Sequence, residues 1–118
     1  MDKMAKEALR KKELNKLNRI FKRLPKDKQR LVEGLKQQAA FMVATLTELQ
    51  EMLSTEGAVE LFEQGQQRML REHPAAKTYN AMIRNYSTVC KQLLELLPDE
   101  QTKEASDELM AFVKRRGR

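Results

Sequence analysis

The stretch REHPAAKTYNAMIRNYSTVCKQLLELLP, residues 71–98, gathers the side chains best suited to chemistry. It holds the only histidine, His73, the only cysteine, Cys90, and both tyrosines, Tyr79 and Tyr86. A thiol beside an imidazole would make the nucleophile–base pair of covalent catalysis. The spacing argues against that pair. Pro74 opens a helix, expected over about 75–97, in which Tyr79, Met82, Tyr86, Val89, Leu93 and Leu96 recur at steps of 3, 4, 3, 4 and 3. Cys90 falls on this apolar face, where a thiol behaves as a small hydrophobe. His73 precedes Pro74, and a helix rising 1.5 Å per residue carries Cys90 on the order of 20 Å away from it. One His and one Cys cannot complete a four-ligand zinc site either. His73 therefore reads as a turn or interface residue. The tyrosines read as packing groups with a hydroxyl at the rim, not as platforms for stacked bases.

Other catalytic signatures are missing. The chain has no G-x-x-x-x-G-K-[ST], no G-x-G-x-x-G and no H-E-x-x-H. Its carboxylates mostly sit beside Lys or Arg on helix faces, where solvation is their ordinary role. The expectation is a protein without enzymatic activity, catalytic residues, metal or cofactor.

Charge carries more information. The net +6 over 118 residues is unevenly placed. Residues 1–36 hold thirteen Lys or Arg against five Asp or Glu, residues 37–98 five against seven, and residues 99–118 five against five. The segment NKLNRIFKRLPKDKQRLVEGL concentrates Lys16, Arg19, Lys22, Arg23, Lys26, Lys28 and Arg30 around one helix–Pro–helix corner, with Lys11 and Lys12 just upstream. Such a corner suits nucleic-acid phosphates, through salt-sensitive contacts that release condensed counterions. The alternative is a solvated corner that keeps a helical protein in solution. No zinc-finger spacing, RRM aromatic motif or helix-turn-helix signature accompanies it, so nothing argues for base-specific reading. A membrane-binding role is disfavoured by the short apolar side and the absence of Trp.

The elements that position these residues are mostly helical. Low Gly and Pro counts, four and three, favour long helices. A first helix over 3–23 carries Leu14, Leu17, Ile20 and Phe21, and its first dozen residues are expected to fray or be disordered. Leu24-Pro25 breaks it. A second helix over about 26–53 carries the seam Leu31, Leu35, Ala39, Met42, Leu46, Leu49 and Leu53, widened by Val32, Phe41 and Val43. Gly34 inside it either costs helix stability or permits a close helix approach. Gly57 is a candidate C-terminal cap. Residues 54–73 form a linker, either a short β-hairpin around Gly65 or a continuing helix. After Pro98 a last helix is expected over about 101–115, ending in the basic tail VKRRGR.

The fold expected is mainly α and a single domain over 1–118: a basic N-terminal helix over 1–24, a long antiparallel helical hairpin over 26–97, and a C-terminal helix and tail over 99–118. Leu35, Met42, Leu46, Leu49, Tyr79, Met82, Tyr86 and Leu93 are the expected core and oligomerisation residues. Wide apolar faces on so short a chain favour oligomers. A single cysteine fits a reducing compartment, and no apolar run reaches the ~20 residues that span a bilayer.

Two stretches carry a family likeness. KELNKLNRIFKRLPKDKQRLVEGLKQQAAFMVATLTELQEML resembles the front half of the short helical terminase small subunits of tailed phages and prophages of Gram-positive bacteria. HPAAKTYNAMIRNYSTVCKQLLELLP resembles their back half, with its Pro, Tyr-Asn, Asn-Tyr and Lys-Gln-Leu elements in the same order and spacing. Together they cover about residues 12–98. The resemblance implies a non-enzymatic DNA-packaging protein in the cytoplasm of an infected or lysogenic host. It would form a ring of roughly eight to ten subunits around a closed rotational symmetry. Its partners would be double-stranded phage DNA near the packaging start and the large terminase subunit, which holds the ATPase and nuclease and which it would modulate. DNA contacts would fall to Lys11, Lys12, Lys16, Arg19, Lys22, Arg23, Lys26, Lys28 and Arg30. The tail is a candidate docking segment for the large subunit, a second DNA contact or a disordered end.

Two rivals remain at this level. A dimeric phage or prophage regulator would bind a short palindrome as a two-fold dimer. A helical virion-assembly adaptor would bind no nucleic acid.

Overall fold

The computed structural model describes residues 1–65 and 67–116. Among them run α1 (Lys3–Phe21), α2 (Lys26–Glu56), β1 (Val59–Gln64), β2 (Gln67–Glu72), α3 (Pro74–Glu95), α4 (Asp99–Leu109) and α5 (Ala111–Arg116). The protein is mainly helical and elongated, 62 × 28 × 24 Å.

α1 begins earlier and more firmly than its thin apolar stripe suggests. Asp2 Oδ1 accepts from the Ala5 amide at 2.7 Å, an N-cap that satisfies one of the helix's free donors. Lys6 reaches Glu48 on α2 at 3.2 Å, and the α-amino group lies 3.6 Å from Glu51. The first dozen residues are thus helical and tied along α2, not frayed. Leu17 and Phe21 are fully buried, with Leu14 and Ile20 packed against the same core.

α2 runs to Glu56, three residues past the expected end. Gly57 then adopts φ +84°, a conformation open to glycine, and its amide donates to Leu53 O at 2.8 Å. The buried row is Val32, Lys36, Ala39, Ala40, Val43, Ala44, Leu46 and Leu49. This differs from the expected seam at its N-terminal half, where Leu31 is 62% exposed and Phe41 is also exposed. The reason is packing on two sides. Lys36, only 5% exposed, donates to Asn18 of α1 at 2.7 Å, so the Val32–Lys36 face is turned toward α1. Leu31 and Leu35 are left on a groove beside α3. Alanines 39, 40 and 44 have no bulk to hold the helices apart.

α3 returns antiparallel to α2. Gln50 Nε2 donates to the Tyr79 hydroxyl at 2.9 Å near one end, while Leu31 and Leu35 meet Gln92 and Leu96 at the other. The linker between them is the β-hairpin, not a continuing helix. β1 and β2 are antiparallel, with Leu61 opposite Leu70 and Gln64 opposite Gln67. Gly65 takes φ +64° at the turn, which suits a tight two-residue hairpin connection. Glu60–Arg71 and Glu63–Arg68 pair across the strands at 2.7 and 2.9 Å.

The C-terminal segment is two helices where one over 101–115 was expected. The chain turns at Met110, whose amide bonds back to Ser106 O at 2.9 Å. The Tyr86 hydroxyl donates to Leu109 O at 3.4 Å, engaging that carbonyl from outside the helix. The turn lets Ala105, Leu109 and Phe112 all reach one core, which takes side chains from every helix. In that core Tyr86 and Phe112 meet edge to face, centroids 6.0 Å apart. The cations of the basic tail, Lys114 to Arg118, lie outside the described side chains.

Of the eight expected core residues, Leu46, Leu49, Tyr79, Tyr86 and Leu93 are buried, and Leu35, Met42 and Met82 are half-buried against them. Each fully buried leucine contributes roughly 1.5–3 kcal/mol by leaving water.

Candidate nucleic-acid interface

The rare residues of 71–98 are spent on structure. His73 caps α3: its Nδ1 accepts from the Ala75 amide at 3.0 Å, and its Nε2 lies 3.2 Å from Glu56 Oε1. Its own amide donates to Ala58 O at 2.8 Å and closes the base of the hairpin. Cys90 is fully buried, and burial pushes its thiol up to about 11, far from the thiolate a nucleophile needs. Burial also raises the Tyr86 hydroxyl. Tyr79 and Tyr86 bond inside the fold and offer no ring face to a base. Among the described residues no group of three or more His, Cys, Asp or Glu could hold a metal.

The corner between α1 and α2 is built differently. Lys22, Arg23, Lys26, Lys28 and Arg30 are all exposed around Leu24-Pro25, and among the described residues they form no ion pair. Beneath them a single side chain organises the turn. Gln29 Nε2 lies within hydrogen-bond reach of three carbonyls, Phe21 O at 3.0 Å, Lys22 O at 3.2 Å and Leu24 O at 3.1 Å. These carbonyls belong to the last residue of α1 and the turn after it, where the helix's own amides run out; Phe21 O also accepts from the Leu24 amide at 3.3 Å. Sequence reading missed Gln29, because a polar residue on an apparently solvated helix face gives no signal of its target.

The other four expected contacts stand apart. Lys11 and Lys12 are exposed on α1, but Lys11 lies eleven residues before Lys22, about 16 Å along the helix. Lys16 is half-buried; its Nζ is 2.8 Å from Glu13 Oε2, an ion pair poorly aligned for a hydrogen bond, and it donates to Glu108 O at 3.4 Å. Arg19 is paired with Glu108 through both terminal nitrogens. Their bond holds the Glu108 carboxyl below the usual carboxylate range.

α4 thus lays acid against base. A cleft beside the corner is lined by Arg19, Lys22 and Arg23 from α1 and its turn, and by Glu104 and Glu108 from α4. A larger groove of about 860 Å³ runs between α1, α2 and the C-terminal helices, with Lys12, Lys16 and Arg19 facing Glu13 and Glu108. Glu13 and Glu108 each already have a cation there, Lys16 and Arg19, so neither stands in the groove as a free base.

The placement of the remaining cations is informative. Lys22 and Arg23 follow the C-terminus of α1, where the helix dipole favours positive charge. Lys26, Lys28 and Arg30 lie in the first turns of α2, where the dipole opposes it. No side chain caps that end, since Pro25 occupies the N-cap. Asp27 is the one acid in that first turn, and the Lys28 and Gln29 amides already donate to Pro25 O. The three cations around it gain little for the fold itself, but with the Lys26 and Asp27 amides they suit a bound phosphate.

Comparison with known protein families, curated proteins and solved structures finds no match for this chain. Among the described residues no helix is long and apolar enough to cross a membrane.

Proposed function

We propose that the protein is the small subunit of a phage terminase, a non-enzymatic ring-forming protein that binds double-stranded phage DNA near the packaging start. It delivers the DNA to the large ATPase/nuclease subunit and modulates that subunit, in the cytoplasm of the bacterial host. The sequence resemblance over residues 12–98 motivates the family. The observation that carries the DNA contact is the α1–α2 corner, where five exposed cations surround an uncapped helix N-terminus.

In a ring this corner repeats once per subunit. Each copy supplies a few weak phosphate contacts, and linkage raises the effective concentration of the next. Lys22, Arg23, Lys26, Lys28 and Arg30 are the central contacts in this reading. Arg19 and Lys16 join only when α4 releases them, and Lys11 and Lys12 form a separate strip along α1.

The test couples two measurements. Light scattering at physiological salt is expected to give a mass of roughly eight to ten chains, a closed ring. Binding of a DNA duplex, titrated from low to high salt, is expected to weaken along a straight line in log–log form. A clean two-fold dimer that binds one palindrome would replace this reading with the regulator. Binding that does not respond to salt, or no binding, would leave only the adaptor.

A further inference from the structure

Two apolar surfaces face solvent at opposite ends of the molecule. At one end the hairpin presents Val59, Leu61, Met69 and Leu70, each more than half exposed, with Leu70 at 72%. The register puts Val59, Leu61 and Leu70 on one face. A lone two-stranded ribbon is marginal in water. Among the described residues no third strand joins either edge.

At the other end, α2 and α3 frame a groove of about 610 Å³ around Leu31, Gly34, Leu35, Gln92 and Leu96. Nothing lies within 4 Å of the place where a Gly34 Cβ would sit, so the glycine opens the groove. The two surfaces cannot meet within one chain. Gly34 and Glu56, beside the hairpin, are twenty-two residues apart on α2, about 33 Å along the helix.

Their charges are opposite. Residues 56–72 carry four carboxylates, Glu56, Glu60, Glu63 and Glu72, against Arg68 and Arg71. The basic corner that adjoins the groove, residues 22–30, carries five cations against Asp27, and Glu95 is the one charged residue in the groove lining itself. Like ends repel and unlike ends attract.

We infer that the hairpin of one copy seats in the α2–α3 groove of the next, with Leu61 and Leu70 over Leu31, Leu35 and Leu96. The occupant of each surface is a second copy of this chain, joined head to tail. Every copy then uses two different patches, so the contact propagates, and it closes into a ring where the rotation allows. Hairpin-to-hairpin pairing would leave the groove bare and bring two acidic ends together. This inference deepens the assembly part of the reading above and rests on it, whereas the DNA contact at the corner does not depend on it.

The test uses two full-length variants altered at exposed positions. Leu61→Asp/Leu70→Asp spoils the hairpin. Leu31→Asp/Gly34→Gln spoils the groove, and Gly34→Gln also favours the helix. Light scattering should find an oligomer for the wild type and a monomer for each variant alone, all with the same helical circular dichroism. Mixed one to one, the variants should form a dimer of one copy each and stop there, because only one intact hairpin–groove pair exists between them. A monomeric wild type, a groove variant that assembles normally, or a mixture without dimers would overturn the inference.

A cross-link guards against misfolding of the charged variants. In a Cys90→Ala background, a chain carrying Leu31→Cys and Leu70→Cys should oxidise to a ladder of linked copies. A product stopping at the dimer, or none, counts against head-to-tail contact. DNA titration of the wild type, beside its mass by light scattering, separates the two claims. Salt-dependent binding without assembly overturns the docking alone, and assembly without DNA binding overturns the DNA reading alone.

Discussion

Arg19 on α1 holds Glu108 on α4 through both terminal guanidinium nitrogens, joining residues eighty-nine positions apart across the edge of the basic corner. The same carboxylate sits beside Lys16, whose ammonium donates to the Glu108 carbonyl. An acidic helix therefore occupies two of the cations in the proposed DNA contact. Replacing Glu108 with Gln should release Arg19 and tighten duplex binding. The salt slope should steepen by about 1, one more phosphate neutralised. An unchanged slope in a folded variant would show that Arg19 takes no part.

Acid should act on the same contact. The Glu108 carboxyl titrates below its unfolded value because Arg19 bonds its charged form. Its stabilising effect is then complete above the unfolded carboxylate value, about 4.3, and fades as the pH falls through the lower folded one. Hydrogen exchange over residues 105–112 should quicken, relative to intrinsic rates, as the pH falls below that range. Arg19→Gln should remove this acid step. Wild-type protection that does not change on acidification would mean that the pair does not hold α4 in place.

The corner cations should trade stability against binding. Lys26→Gln/Arg30→Gln removes two positive charges from the unfavourable end of the α2 dipole. The variant should melt no lower than the wild type, gaining about 0.3–1 kcal/mol at low salt from Lys26 and little from Arg30, which lies past the first turn. Its duplex affinity should fall and its salt slope flatten by roughly 2. Paired thermal melts and DNA titrations would show whether these two effects run in opposite directions.

The phase of α2 can be read from single truncations. Leu46→Ala should cost about 2–5 kcal/mol in denaturant unfolding, since that side chain is fully buried. Leu31→Ala should stay within about 0.5 kcal/mol for the dilute chain. Equal costs at the two positions would restore the expected leucine seam.

Cys90 supplies a check on rigidity. Its thiol is fully buried, and burial pushes it up to about 11, so iodoacetamide at pH 8 should label it only when the fold opens. The labelling rate should follow global unfolding and rise steeply in denaturant. Fast labelling without denaturant would point to local opening of α3.

α3 was legible in the sequence because Pro74 and Pro98 bracket one unbroken apolar row. The hairpin was legible as one of two options, since Gly65 permits the turn but Glu, Gln, Leu and Met around it favour helix equally well. α2 was read with the right start, an end three residues short, and the wrong phase in its N-terminal half. A leucine row and a Val–Ala row share that helix, and hydrophobicity favours the leucines, whereas close packing between two neighbours favours the smaller side chains. The basic corner was visible as composition. Its division into free cations and cations held by α4 was not, because Arg19 and Glu108 share no local pattern. Lys36 was misleading for a similar reason: its charge suggests solvent, yet Asn18 and Glu33 receive its ammonium as it leaves the core.

Gln29 gives the corner a property that charge alone would not. A helix–Pro–helix junction is ordinarily a joint, free to vary the angle between its arms. Here one amide group bridges the end of α1, the turn and the start of α2, so the backbone is set before any ligand arrives. Ordering a flexible turn would cost about 1–2 kcal/mol for each residue fixed. With the junction already fixed, binding has only the rotamers of lysine and arginine side chains left to order. The spacing of the cations is then a fixed template, and the conformational entropy of the turn is settled during folding instead of at the moment of capture.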